Sequence, residues 1–260
     1  MRYFIFLTIL LFTSVLKAEN YIESDKVLFN YYSGNYIKNA QDIANYKELT
    51  TKNFQDYLNA HKDPLTLEDF ANYSNIQIAL LQFELSAKLI TSKVAKEITT
   101  NLNKQWEERI KAVEISNINA NVLASYADFK MYSLMFVSIF SKMSEGPKVQ
   151  DMYKQVLEID ENNYIANIGL GKWNLFVPSV GGGDLTEANQ HLSKALASSK
   201  NNLEKFIAYL WLSQVALKAE DLYKYQTYIE NMQSFTEFKD GTVLKAIQQI
   251  NKDGKILGAE

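Results

Sequence analysis

Three glycines and an acid, Gly181-Gly182-Gly183-Asp184, precede the patterned run LTEANQHLSKAL. A glycine cluster opening a helix is an arrangement that cradles phosphate, because free N–H groups and the helix dipole converge there. The nucleotide-binding version needs Lys followed by Ser or Thr after its last glycine. Here Asp184-Leu185 follow, and the carboxylate of Asp184 repels an anion. The same residues suit a turn. Pro178 ends a preceding helix because it lacks an N–H. Asp184 can cap the next helix, and Glu187 stands where a capping box is completed. Such a turn requires at least one of the glycines at positive φ.

The remaining chemistry-bearing residues are sparse. Cysteine is absent, which excludes disulfides, a thiolate nucleophile and cysteine metal sites. His191 follows Glu187 by four residues, so both can share a helix face. A zinc site needs three or four ligands with outer support, so no metal is expected, and His191 reads as solvated surface. His61, beside Pro64, reads as a loop residue. Glu107-Glu108-Arg109 and Asp160-Glu161 read as helix edges and turns in solvent. Whether two carboxylates pair depends on their separation in space. No Ser/His/Asp order and no Gly-x-Ser-x-Gly elbow occurs. No catalytic residue and no cofactor is therefore assigned, and an enzyme is not expected. MYSLMFVSIF, residues 131–140, is apolar nearly all round, which predicts a helix buried between two neighbours. The alternative is a pocket for a hydrophobic ligand lined by Met131, Met135 and Phe136. Trp173 and Trp211 raise the same question.

The elements that must position these groups follow from composition and periodicity. The 260 residues are 47% hydrophobic and 22% charged, with ten glycines and three prolines. That is a globular balance with too few turn formers for an all-β fold. The first residues, MRYFIFLTILLFTSVLKAEN, read as an address. Arg2 supplies a positive start, Tyr3 to Leu16 an apolar core, and Ala18 a cleavage point. The apolar run is shorter than the roughly 20 residues of a spanning helix. A signal peptide over 1–18 is expected, with an uncleaved anchor as the alternative. The protein is then periplasmic or secreted, and without cysteine it is not a lipoprotein. Cleavage removes two of the 27 basic residues, Arg2 and Lys17, and none of the 30 acidic ones, so the net charge of −3 becomes −5. With no Lys/Arg-rich block, a nucleic-acid partner is not expected.

Residues 19–90 form an N-terminal helical region. Ile37, Ile43, Tyr46, Leu49, Phe54, Tyr57 and Leu58 carry helical spacing, Ser33-Gly34 breaks it and His61 to Pro64 stops it. Further helices are predicted over about 66–91, 93–114 and 120–143, with a break at Gly146-Pro147. Others follow near 148–158, 164–176, 185–197, 205–219, 221–235 and 241–251. No segment alternates as a strand does. The class is all-α, and the short loops imply antiparallel neighbours.

Four segments share a shape: KAVEISNIN (111–119), QVLEIDENN (155–163), KALASSKNN (194–202) and NMQSFTEFK (231–239). The first three resemble the second-helix ending KALELDPNN of a tetratricopeptide (TPR) repeat. Ala188, Leu192 and Ala195 match the second helix. Ala166, Leu170 and Gly171 fit the first helix, as do Leu123, Tyr126 and Ala127, and later Tyr209, Leu212, Ser213 and Ala216. Ala112, Val156, Ala195 and Met232 stand 44, 39 and 37 residues apart, against about 34 in that family. Lengthening the helix at 120–143 explains the first excess, and Pro178 to Gly182 the second. The family's proline is missing, with Glu161 and Lys200 in its place.

The resemblance implies a TPR-like α solenoid of stacked antiparallel helix pairs over 91–240, followed by a tail over 241–260. It implies a protein or peptide partner held in a concave groove, a scaffold role without catalysis. In that frame Ile165, Ile168 and Lys172 face the groove in one copy, and Ile207, Leu210 and Gln214 in the next. The alternative implied by the same likeness is a periplasmic accessory of a tripartite solute-uptake transporter, or a carrier of a small hydrophobic ligand. A membrane partner is expected only if the signal stays uncleaved.

Overall fold

A computed structural model describes residues 66–257 apart from 87–88, 115–116, 239–241 and 253, with single helical positions at 45, 48 and 52. The signal segment, the periodic positions expected from Ile37 to Leu58, and the breaks at 33–34 and 61–64 lie outside the described residues. Among the described residues the fold is all-α, without strands. The helices are α1 (Leu67–Ser86), α2 (Ser92–Lys111), α3 (Ala120–Ser133), α4 (Ile139–Ile159) and α5 (Tyr164–Phe176). They continue as α6 (Leu185–Ser198), α7 (Asn202–Lys218), α8 (Leu222–Ser234) and α9 (Thr242–Asn251).

Short polar side chains start these helices. Thr91, Asn119, Ser138, Asn163, Asn201 and Asp221 each accept a bond from a backbone N–H three residues on. Each thereby satisfies one of the donors a helix start leaves open. α1 carries the full reciprocal box. Asp69 N–H donates to Thr66 Oγ1 at 3.1 Å, and Thr66 N–H donates to Asp69 Oδ2 at 3.2 Å.

Consecutive helices pair as α1–α2, α3–α4, α5–α6 and α7–α8, and the first members also stack, α1 on α3, α3 on α5 and α5 on α7. Those first members run parallel. Their starting ends are tied together, Asn119 Nδ2 to Glu68 Oε1 at 2.9 Å, Asn163 Nδ2 to Asn121 Oδ1 at 3.0 Å, and Tyr164 OH to the Glu204 carbonyl at 2.9 Å. α9 runs beside α7 in the same sense, since Leu244 and Ile247 pack with Phe206 and Leu210 while Asn251 meets Gln214. The stack therefore has two edges. Outgoing turns join first to second helices on one edge, and returning turns join successive pairs on the other.

Three apolar cores follow one another along the stack. The first joins α1 to α5 around Phe70, Trp106, Phe129 and Tyr153. The second fills α5 to α7 around Leu175, Leu192 and Leu212, and the third α7 to α9 around Phe206, Met232 and Phe238. Small residues set the helix spacing. A Cβ on Gly171 would fall 2.4 Å from Leu192 Cγ, and one on Gly169 2.2 Å from Tyr153 Cζ.

Three expected boundaries are corrected. The first helix ends at Ser86 rather than near 91. The helix expected over 120–143 stops at Ser133. A 3-10 turn, Leu134–Phe136, and a capped start at Ser138 follow. α4 then passes straight through Gly146-Pro147. The extra residues of this pair thus lengthen the second helix, not the first. Proline inside a helix costs about 3 kcal/mol, yet the break does not form. Pro147 and Met143 both face solvent, so water can serve the carbonyl left without its N–H. Gly146 lies buried against Trp173, where a Cβ would approach Cη2 to 2.8 Å. Val149, Tyr153 and Val156 bury the same helix face.

Candidate functional site

The glycine turn is built as its residues predict. Pro178 follows α5, a 3-10 turn spans Ser179–Gly181, and Gly182 takes φ +95°. Gly183 has a separate reason, since a Cβ there would lie 1.8 Å from the Val177 carbonyl oxygen. Asp184 accepts from the N–H groups of Thr186 at 2.6 Å and Glu187 at 3.0 Å. Those bonds hold its carboxyl below the usual carboxylate range. The helix start that an anion would need is filled by the chain's own carboxylate. Glu187 makes no reciprocal bond to Asp184, so the box is half formed.

Two further chemistry-bearing groups, Tyr153 and Glu107, are committed to structure. Tyr153 is fully buried and donates to Asp128 Oδ1 at 3.2 Å. Burial, then the charge of Asp128, holds its hydroxyl protonated well above the ordinary range. Glu107 accepts from Asn103 Nδ2 at 2.9 Å and pairs with Lys130 at 3.5 Å. Led by the Asn103 bond, these contacts lower its pKa and keep it ionised. Among the described residues no three His, Asp or Glu side chains are grouped to hold a metal.

His191 departs from the solvated surface expected of it. It is half-buried, with Nδ1 3.0 Å from Asn167 Oδ1. Burial, then the charges of Lys194 and Lys154, lower its pKa against the opposing pull of Glu187. Its folded value therefore lies below the ordinary 6.5, so protonation favours the unfolded chain. The stabilisation is complete above about pH 6.5 and is lost as pH falls from there toward the folded value. Thermal melts from about pH 7.5 down to about 5.5 should show a steeper loss for wild type than for His191→Gln. Equal slopes would remove His191 as a contributor.

The six residues expected to face the groove divide into two sets. Ile165, Lys172 and Ile207 are half-buried and reach the surface. Ile168, Leu210 and Gln214 are buried, a correction to their expected place on an open groove. The first helices of successive pairs pack directly on one another, which takes Ile168 into the α5–α7 core and Leu210 into the α7–α9 core. Gln214 is covered by the chain itself. Its Oε1 accepts from Leu257 N–H at 2.8 Å and from Asn251 Nδ2 at 3.0 Å, while its Nε2 donates to Asn251 Oδ1 at 3.1 Å. Asn251 Nδ2 also donates to the Lys255 carbonyl at 2.8 Å. Ile256 and Leu257 pack onto the two cores that flank α7. Residues 255–257 thus lie against α7, held at their backbone by two side-chain amides.

Beside this segment a cationic and aromatic patch remains accessible. Trp211 and Phe176 meet edge to face at 5.8 Å, and Lys172 Nζ lies 5.4 Å from the Trp211 ring centre. Lys218 Nζ caps the Leu175 carbonyl next to them. Trp211 and Phe176 are not among the expected groove positions; the signal for Trp211 is that it directly precedes Leu212 and so lies about 100° round the helix from the expected Leu212–Ala216 packing row. Trp173 is buried against Gly146. Met131 and Phe136 pack on the first core while Met135 stands out in solvent, so these three do not line one pocket. No family model matches the chain, and neither a curated protein nor a solved structure matches it.

Proposed function

We propose that the protein is a non-catalytic, exported TPR-like scaffold that binds an extended peptide segment of a partner protein across α5 and α7. One observation carries the reading: α7 already holds a non-helical stretch, residues 255–257, through amide bonds to its backbone and apolar contacts to Ile256 and Leu257. A face that binds main-chain N–H and C=O groups through Gln and Asn side chains, with apolar seats beside them, is suited to extended peptides in general. Ile165, Lys172 and Ile207, joined by Trp211 and Phe176, continue that face onto α5. Stacked helix pairs supply such a surface preformed, so little ordering is needed on binding.

Peptides selected from a random display library against the full chain should weaken by about tenfold or more on Trp211→Ala, the usual scale for an aromatic anchor. Lys172→Glu should shift the selected sequences away from acidic residues. Both side chains are partly exposed, so melting temperatures should stay near wild type. Failure to select any peptide, or equal binding by all three proteins, would remove this face.

A further inference from the structure

The large apolar side chains left exposed among the described residues are not scattered. Val113 and Ile159 stand by returning turns, and the others stand by the outgoing turns or at the matching end of α9. The foremost are Val180 at 99% exposure, Tyr223 at 84%, Phe140 at 80% and Met143 at 71%. They belong to three consecutive outgoing turns, and Leu222 and Ile139 stand beside them. MYSLMFVSIF, expected to be buried, delivers its second half to this edge. Exposed apolar groups gathered on one side of a protein mark an interaction site.

We propose that this edge docks on a phospholipid bilayer bearing anionic headgroups, with the apolar turn tips entering the interfacial layer. A side chain as bare as Val180 has no neighbours to form a pocket wall. Tips on separate turns suit a fluid interface, which moulds to each one, better than a folded partner, which must supply a complementary seat for each. Tyr223 is of the amphipathic kind that favours this layer. Charge runs the same way. Lys93, Lys96, Lys142, Lys218, Lys224 and Lys252 outnumber Glu145, Asp184, Glu187, Glu220 and Asp221 along the outgoing edge, while Glu158, Asp160 and Glu161 crowd a returning turn, so an anionic surface is drawn to the outgoing edge over the returning one. No described helix is long and apolar enough to cross one, and the contact inferred is peripheral.

The chain has no cysteine, so single labels are clean. Phe140→Cys, Val180→Cys and Tyr223→Cys, with Glu161→Cys as control, are coupled to a polarity-sensitive fluorophore in the full chain. Vesicles of equal parts phosphatidylcholine and phosphatidylglycerol should shift emission to the blue at 140, 180 and 223 and leave 161 unchanged. The triple variant Phe140→Asp, Val180→Asp, Tyr223→Asp should lower partitioning by about tenfold or more, since burial of even one such side chain is worth that factor. Water-like emission at all three sites would overturn the proposal, even if the N-terminal run alone holds the chain on vesicles. A blue shift without vesicles, together with dimers in sedimentation, would overturn it as well by assigning the edge to a second copy. Peptide binding at Trp211 is measured without lipid, so the two readings fail separately.

Discussion

Trp106→Ala should lower the unfolding free energy by about 3–5 kcal/mol, the range for truncating a large buried aromatic. Trp106 is fully buried in α2 and meets both flanking helices. Its ring lies 5.0 Å from Phe70 of α1, edge to face, and 5.0 Å from Tyr126 of α3, with Phe129 at 6.5 Å. Its Nε1–H donates to Ser74 Oγ at 2.9 Å. Truncation therefore removes an indole volume and leaves the fully buried Ser74 hydroxyl without that donor. Trp106→Phe separates the two effects, keeping most of the packing while losing the bond, at about 1–3 kcal/mol. Domains of this kind are stable by only about 5–15 kcal/mol, so the alanine variant should show a large fall in urea midpoint. An unchanged midpoint would mean that α2 contributes little to the first core.

Trp106 also shows where a sequence is readable. Its partners Phe70, Ser74 and Tyr126 sit on two other helices, and no pattern within α2 names them. The helix itself is legible, because Ala95, Leu102 and Trp106 recur on one buried face. The later pairs are legible for a stronger reason. In α5 and α6 the backbone approach demands Gly171 against Leu192 and alanine at 188 and 195, so size as well as polarity is patterned. The predicted bounds of α5, 164–176, coincide with those observed.

The failures come from competition between local and tertiary forces. Gly146-Pro147 carries a strong stop signal, but Gly146 is selected there by the approach of Trp173, a contact 27 positions away in the chain. The apolar run 131–140 reads as buried because hydrophobicity all round a helix implies an inward position. Burial is a one-way rule, since much of any folded surface remains apolar. Ser138, unremarkable in the run, divides it by accepting from Ser141 N–H and starting a new helix. The groove residues failed in a third way. A repeat frame says which side of α7 Leu210 and Gln214 occupy, but not that α9 and residues 255–257 return to cover that side.

That covering predicts the second large effect. Gln214→Leu keeps the volume roughly constant and removes every polar atom of the side chain. Asn251 then loses both of its bonds to residue 214, and Leu257 N–H loses its acceptor. Asn251 is itself buried. A buried polar group stripped of its partner costs about 1–3 kcal/mol, and here two residues are stripped together. The loss should be at the upper end of that range and confined to one end of the stack. Hydrogen exchange should quicken in α9 and at Leu257 while α3 to α6 stay protected. Replacing both members, Gln214→Leu with Asn251→Leu, removes the stranded amide and should recover part of the loss, a coupling that a double-mutant cycle measures directly. Tyr225 OH, which donates to Asn251 Oδ1 at 3.2 Å, then lacks its acceptor, so recovery should be incomplete. Additive single and double variants would mean that the two amides do not act as one clamp. Because the same clamp holds residues 255–257 against α7, Gln214→Leu should also loosen that segment.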